Sequence, residues 1–342
     1  MGKNERLHLI QELEKKSDSR VLSYITGDKR GMETKISADI FPFVYEHLVE
    51  FGHVKRINLL LYSMGGDSVT GWGLVNLIRE FCDEFIVTVP FKALSCATLI
   101  ALGADQVLMG KSGQLSPIDP SVSSPYNPPA PGPQQPGIVT LLPVSVEDMM
   151  GYLDLAKNEV GVKSDESMSR IMEILASKVH PMSLGAVYRA REGIRTFATR
   201  LLGYHMKDAN AVTRIVEKLT KELPSHQYLI GRREARDIGL PIVEPSPELE
   251  RLLWDLQKEY ATWLELTTPY NPEAILGDTQ STVKTLVRAV IESRKTDGSG
   301  MRTHAFKTKQ ELKRVQFTQP GIGTPTPVVQ QRLLEEEWGE EI

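Results

Sequence analysis

A serine and a pair of glycines are the residues of this chain whose types and spacing suit acyl-transfer chemistry. Gly65 and Gly66 close an apolar run at 59–61, and Ser95 stands between a second apolar run and an apolar helix. The interval from Gly66 to Ser95 fits one helix plus one strand, and a right-handed βαβ crossover would place the two strand ends side by side. A glycine N–H and a serine hydroxyl would then face one crevice, as a nucleophile beside an oxyanion hole must.

Ser95 also has a purely structural explanation, because serine is a good N-cap and the helix predicted from Cys96 to Gly103 needs one. The glycine turn at a matching distance favours catalysis over capping. The helix N-terminus after Ser95 would stabilise developing negative charge. The backbone N–H groups of Gly66 and Cys96 are the predicted oxyanion donors, each worth about 3 kcal/mol of transition-state stabilisation.

Alternating strands and helices must position these residues. Short apolar runs predict strands at 20–26, 57–62, 86–89 and 106–109, and helical periodicity predicts helices at 40–51 and 68–82, the second of which includes Cys82. The nearly continuous apolar character of the strands is typical of a buried parallel sheet. The sequence therefore predicts an α/β fold.

Composition excludes several classes of function. The chain has 342 residues, 41% of them hydrophobic, and a formal net charge of −4, so no basic excess points to a nucleic-acid partner. Its two cysteines suggest neither a disulfide framework nor a metal site, which favours a reducing cytoplasm. No window approaches the ~20 apolar residues of a membrane span, although peripheral membrane association stays open. No dinucleotide fingerprint follows the first strand, and no cofactor is expected.

The chain divides into four predicted segments. Residues 1–19 should form an amphipathic helix, residues 20–245 the main domain, residues 246–294 C-terminal helices, and residues 295–342 a polar tail that is extended or partly disordered. The composition of the proline-rich loop at 116–143 is equally compatible with a flexible linker and with a flap over the crevice.

Three stretches together resemble one protein family. They are LLLYSMGGDSVTGWGLVNLIREF (59–81), ALSCATLIALGADQVLMG (93–110) and LSPIDP (115–120), and the similarity extends over roughly residues 20–245. The pattern resembles the serine dehydrogenase proteinase family of the Clp-protease/crotonase superfamily, which is related to signal peptide peptidase A. Met64 stands where the family's glycine turn has proline, and Ser116 stands where its Gly-Pro-Ile-Asp-Pro segment begins with glycine.

The resemblance implies a ClpP/crotonase-like ββα superhelix with a C-terminal helical extension. It also implies an ATP-independent, homo-oligomeric, cytoplasmic serine endopeptidase that acts on a peptide or protein substrate. Ser95 would be the nucleophile, and Met64 and Gly65 would lie along the substrate groove.

The general base stays open at this point. The Clp-type histidine has no counterpart, because the corresponding segment ends in Asp119 and Pro120. Lys178 looks like the lysine of signal peptide peptidases, and His180 suits base chemistry by its intrinsic pKa. Asp119 would orient a base or fix the loop. His226 is an outside candidate for which a structural hydrogen bond is the favoured explanation.

Two other classes of function compete with the peptidase. A non-catalytic scaffold would keep the fold and hold a peptide in the groove. An acyl-CoA enzyme of the crotonase type would keep the oxyanion hole without needing Ser95.

Overall fold

An eight-stranded mixed sheet is the framework of the protein, seen in a computed structural model that describes residues 2–118, 121–122, 124–131, 140–317 and 326–341. In chain order the strands of these ranges are β1 (Arg20–Thr26), β2 (Val54–Tyr62), β3 (Cys82–Val89), β4 (Gln106–Met109), β5 (Gln114–Leu115), β6 (Ser121–Val122), β7 (Val144–Ser145), β8 (Ile230–Gly231), β9 (Ile242–Val243), β10 (Ser281–Arg294), β11 (Met301–Phe317) and β12 (Thr326–Glu340). The large sheet has the order β12-β11-β10-β1-β2-β3-β4-β9, while β5 pairs with β8 and β6 with β7.

Helices connect the strands and extend the chain beyond them. They are α1 (Lys3–Ser17), α2 (Phe41–Phe51), α3 (Ser68–Arg79), α4 (Cys96–Leu102), α5 (Val146–Asp154), α6 (Asp165–Lys178), α7 (Pro181–Leu202), α8 (Ala209–Glu217), α9 (Arg232–Ile238), α10 (Pro247–Trp263) and α11 (Pro272–Leu276). A 3-10 turn at Ala38–Ile40 precedes α2, and π-helical turns at Leu155–Glu159 and Lys218–Glu222 continue α5 and α8. Within the described ranges, no helix has the length and apolar character needed to cross a membrane.

The predicted α/β fold is confirmed in the part of the chain that carries the candidate site. Strands β1 to β4 are parallel neighbours, and Leu59 is in register with Leu22 on one side and with Val87 on the other. Helices α3 and α4 form the crossovers between β2, β3 and β4. The carboxyl ends of β2 and β3 therefore lie next to each other, at the edge where α3 and α4 begin.

Helices cover both faces of the sheet. Alternate residues of β2 point to opposite sides, as the two-residue period of a strand requires. Leu59 and Leu61 pack into a core with α2, α3, α4 and α7. Leu60 and Tyr62 pack into a second core with α1 and α10. Because these strands are buried on both faces, their sequences are continuous apolar runs rather than alternating apolar and polar residues.

One local expectation near the site is wrong. Cys82 was expected in the first crossover helix, but it begins β3 and is in register with Val54. The strand starts before its apolar run because Arg56 and Glu84, which face each other in the register, form an ion pair of 2.5 Å there. Polar residues at the start of a strand are accommodated by such cross-strand pairs.

The C-terminal part differs from the expected helical extension. Helices α10 and α11 are present, but residues 281–294 form β10, which pairs antiparallel with β1. The end of this strand is buried on both faces (Ala289, Val290, Ile291), and such a short apolar run does not distinguish a helix from a central strand.

The polar segment after residue 295 forms strands β11 and β12 rather than a loose tail. Its charges pair with charges on neighbouring strands: Arg288 lies 2.5 Å from Glu336, and Lys309 lies 3.8 Å from Glu335. A polar composition therefore does not prevent sheet formation at an edge.

Candidate active site

Ser95 stands at the start of α4 in a backbone conformation that is unusual for a residue with a side chain. Its φ is 52° and its ψ is −116°, and its side chain makes no capping hydrogen bond to the helix. Residues in such sparsely populated regions cost about 1–3 kcal/mol and persist where the surrounding structure imposes them, often at functional sites. Simple capping therefore does not account for Ser95.

Buried hydroxyl groups hold the backbone of Ser95 in place. The Ser95 N–H donates to Ser116 Oγ over 2.7 Å. The Ser116 N–H donates to Thr98 Oγ1 over 3.0 Å, and that hydroxyl donates to the Ala93 carbonyl over 2.7 Å. Thr98 is fully buried and Ser116 nearly so. The two side chains of Ser116 and Thr98, together with backbone groups, thus tie the segment directly after β5 to both sides of Ser95.

The glycine turn approaches Ser95 so closely that it excludes a side chain. A Cβ added to Gly65, whose φ is +109°, would lie 2.8 Å from Ser95 Cβ and 3.2 Å from Ser95 Oγ. The turn has its own hydroxyl support, since the Gly65 N–H donates to Ser63 Oγ over 3.0 Å and Thr26 Oγ1 donates to the same oxygen over 2.7 Å. Ser63 and Thr26 are fully buried.

Gly66 lies against the backbone of Ile36. The Ile36 N–H donates to the Gly65 carbonyl and the Asp67 N–H donates to the Ile36 carbonyl, both over 2.9 Å, and a Cβ on Gly66 would lie 2.2 Å from Ile36 O. The N–H groups of Gly66 and Cys96 take no part in these bonds. Within the described ranges, neither of these two N–H groups has a hydrogen-bond partner, so both are available to a ligand.

A cavity of about 700 Å³ brings the predicted nucleophile, donors and groove residues together. Its wall includes Met64, Gly65, Gly66, Ser95 and Cys96. Apolar and titratable side chains complete the wall: Leu99, Ile118, Ile194, Asp28, Glu33, Lys35, Asp67 and His226. A cavity of this size holds a short segment of peptide.

Several titratable groups of this cavity already have partners. Asp28 forms an ion pair of 2.7 Å with Lys92. Asp67 caps α3, because its Oδ2 accepts from the N–H and the hydroxyl of Thr70 over 2.8 and 2.6 Å. The Cys96 thiol donates to the Asp67 carbonyl over 3.0 Å, and burial raises the pKa of this thiol to about 12. Cys96 is therefore an inert neighbour of Ser95 rather than a rival nucleophile.

The two main candidates for the general base, Lys178 and His180, lie outside the wall of the Ser95 cavity. Lys178 is exposed at the end of α6. His180 caps α7 and stacks on Tyr126 with ring centroids 4.8 Å apart. Neither residue lines the Ser95 cavity, whereas the outside candidate His226 does. Asp119 lies outside the described residues.

Sequence reasoning gave no role to the hydroxyl groups that support the site. Thr98 lies within the apolar helix α4, Thr26 ends β1 and Ser63 directly follows β2, and a hydroxyl at each of these positions was the available signal. Lys35 is an exposed residue of the cavity wall, and nothing in the sequence around it predicted this position.

Comparison with known proteins gives a family match over the first part of the chain. The family model described as ClpP-like SDH-type serine proteinase matches residues 2–132. This match confirms the resemblance drawn from the sequence motifs.

Two relatives are uncharacterized proteins of Methanocaldococcus jannaschii. One is 26% identical over 207 residues, which are 60% of this chain and 59% of the relative. The other is 27% identical over 126 residues, which are 34% of this chain and 42% of the relative. The chain thus spans less than two thirds of either relative.

Solved structures similar to this chain include a mutant protease and a ClpP1 protein. A mutant of the 1510-N membrane-bound stomatin-specific protease has a TM-score of 0.36 at 13% identity, with coverage of 64% of this chain and 79% of that chain. ClpP1 from Listeria monocytogenes has a TM-score of 0.36 at 16% identity, with coverage of 70% and 99%.

Proposed function

We propose that this chain is an ATP-independent serine endopeptidase with Ser95 as its nucleophile, a proposal supported by the match of residues 2–132 to the family model described as ClpP-like SDH-type serine proteinase. The observation that carries the proposal is the approach of the glycine turn to Ser95. Only a residue without a side chain fits at position 65, because an added Cβ would lie 2.8 Å from Ser95 Cβ and 3.2 Å from Ser95 Oγ. The same cavity is lined by Gly66 and Cys96, whose N–H groups have no partner among the described residues.

In this mechanism Ser95 Oγ attacks the carbonyl carbon of a peptide bond while a general base takes its proton. The carbonyl electron pair moves to oxygen, and the N–H groups of Gly66 and Cys96 donate to the oxyanion. Collapse of this intermediate breaks the C–N bond, and the amine leaves with the proton returned by the base. Water then attacks the acyl group on Ser95 by the same route and releases the acid.

The wall of the cavity favours an extended peptide with an apolar side chain near the cleaved bond. Leu99 is fully buried, and Ile118 and Ile194 are nearly so, and all three line the cavity that Ser95 faces. Met64 and Gly65 border the same space and would contact the substrate backbone. Apolar walls with a few convergent polar groups are the usual design of such pockets.

We propose further that the peptidase is a cytoplasmic homo-oligomer. Helix α6 buries none of its residues, and Met172 and Ile174 on it are 42% and 56% exposed. A second copy that covers this helix would remove apolar surface from water. Both cysteines are free, which is compatible with a reducing compartment. Light scattering coupled to size-exclusion chromatography tests the oligomer directly.

Covalent labelling with a fluorophosphonate probe tests the peptidase proposal. The wild-type protein should form an adduct that peptide mapping assigns to Ser95, and Ser95→Ala should form none. Ser299→Ala, which changes an exposed turn serine, is the matched control and should label like the wild type. A folded wild-type protein that stays unlabelled from about pH 6 to 9 would instead support the non-catalytic scaffold.

A further inference from the structure

We propose that His226 is the general base of the Ser95 reaction; this inference rests on the proposed peptidase function. All seven histidines of the chain lie in the described ranges, and only His226 lines the Ser95 cavity. The others are placed elsewhere. His8 lies on α1, His47 bonds to His304, His53 to Asp83 and His205 to Leu102, and His180 stacks on Tyr126.

The segment that carries His226 is fastened at both ends to the support of Ser95. On one side, the Ile118 N–H donates to the Leu219 carbonyl over 3.1 Å. On the other side, Leu115 is in register with Ile230 in the antiparallel pair of β5 and β8. Between Leu115 and Ile118 lies Ser116, whose hydroxyl accepts the Ser95 N–H. The positions of His226 and Ser95 are therefore fixed by one and the same short segment.

This placement explains how the chain does without the Clp-type histidine. That histidine would lie on the segment after α4, where this chain continues from Ile118 into Asp119. The segment 219–230 runs beside residues 115–118, and its His226 lines the same cavity as Ser95. The base thus comes from a neighbouring segment much later in the chain.

The other titratable side chains of the cavity are poorer bases. Asp28, Glu33 and Asp67 carry carboxylates, which as a class bind a proton more weakly than an imidazole does near pH 7. Lys35 is exposed, whereas a lysine acts as a base when burial removes its proton. An imidazole is mostly neutral near pH 7 and suits the task without such help.

The proton balance of the proposed step is simple. One imidazole nitrogen of neutral His226 takes the proton of Ser95 Oγ as the new C–O bond forms. The resulting imidazolium gives this proton to the peptide nitrogen as the C–N bond breaks. In deacylation the imidazole takes a proton from water and returns it to Ser95 Oγ.

The test is the pH dependence of the rate at which the fluorophosphonate probe labels Ser95. In the wild type, this rate should rise with pH as an imidazole loses its proton and should then level off. In His226→Gln, the rate should fall by about 100-fold or more and lose this step, and added imidazole should restore part of the rate in His226→Gly. With a peptide substrate, kcat should fall while KM stays within about twofold.

Matched variants separate this proposal from its rivals. Lys178→Met and His180→Gln, which change residues outside the wall of the Ser95 cavity, should keep the wild-type rate and pH profile. Circular dichroism identifies any variant that does not fold, and His226→Asn then takes the place of His226→Gln. If the wild type labels at Ser95 and His226→Gln keeps both rate and pH profile, the base assignment is wrong and the peptidase proposal stands. An unlabelled wild type overturns both.

Discussion

The backbone N–H of Ser95 donates a 2.7 Å hydrogen bond to the hydroxyl of Ser116, a residue that itself is only 2% exposed. Ser95 has a positive φ, so its backbone depends on such bonds to keep an unfavourable conformation. Ser116 stands where the related family pattern has glycine. The hydroxyl at this position is therefore a supporting group of this chain's own site.

Replacement of Ser116 by alanine should slow the labelling of Ser95 by about 10- to 100-fold, because a small displacement of a nucleophile carries a cost of this size. The free energy of unfolding should fall by about 1–3 kcal/mol, since the Ser95 N–H loses its acceptor. Ser177→Ala removes an exposed helix hydroxyl and should change neither quantity. A wild-type labelling rate in Ser116→Ala would show that the bond has no role in positioning.

Replacement of Gly65 by alanine should abolish labelling, because the new Cβ would lie 2.8 Å from Ser95 Cβ. Gly52→Ala is the matched control: Gly52 also has a positive φ (64°), but no heavy atom would lie within 4 Å of its added Cβ. Both variants should lose about 1–3 kcal/mol of stability from backbone strain. If Gly65→Ala retains labelling, the close contact with Ser95 is not needed for the reaction.

The central strands and the candidate nucleophile were predictable because their signals are local. Leu59, Leu60 and Leu61 form one apolar run because β2 is buried on both faces. Gly66 and Ser95 follow consecutive parallel strands, and the crossover rule alone brings such positions together. No knowledge of distant segments was needed for either prediction.

The position of His226 in the wall of the cavity could not be predicted in the same way, because it depends on contacts between segments that are distant in the sequence. It results from the two-residue pairing of β5 with β8 and from one hydrogen bond between Ile118 and Leu219. Such short pairings leave no periodic pattern in the sequence. The strands β10 to β12 were missed for a related reason, since their polar residues pair with charges on neighbouring strands.

A buried ion pair fastens the N-terminal helix to the C-terminal strands, and its loss should be costly. Glu292 accepts from Arg6 Nε and Nη2 over 2.9 and 3.0 Å, and from Tyr260 and Thr303 over 2.9 and 2.8 Å. Glu292→Gln would leave the Arg6 charge uncompensated and should lower the free energy of unfolding by about 3–5 kcal/mol. Urea denaturation measures this value.

The control for Glu292 is an ion pair on the surface of the same sheet. Lys309 and Glu335 lie 3.8 Å apart with about half of each side chain exposed. Glu335→Gln should change the free energy of unfolding by less than about 1 kcal/mol. Equal losses in the two variants would mean that burial does not set the strength of the Glu292 network.

His47 should make the protein less stable in mild acid. Its ring is fully buried, with Nδ1 2.6 Å from Ser293 Oγ and Nε2 3.1 Å from His304 Nδ1. Burial, together with the neighbouring charges of His304 and Arg302, lowers the pKa of His47 to about 3. Below about pH 6.5 the unfolded chain therefore binds a proton that the folded chain does not, and stability falls by up to about 1.4 kcal/mol per pH unit.

Urea denaturation between pH 7.5 and 5.5 tests whether the free energy of unfolding falls on acidification. His47→Gln should show a smaller loss of stability on acidification than the wild type. His53 is a control of opposite sign, because its hydrogen bond to Asp83 raises its pKa and its stabilising effect is lost as pH rises. A wild-type slope that is unchanged in His47→Gln would contradict the prediction.

The pairing of β1 with β10 has a consequence for the synthesis of the chain. In the register, Leu22 faces Ser293, so one edge of β1 stays open until the last quarter of the sequence has been made. Contacts between such distant residues form late, because a long loop must close before they are gained. We expect the sheet that carries Ser95 to stay incomplete on the ribosome, and the proposed peptidase to become active only after residues 281–294 have been synthesised.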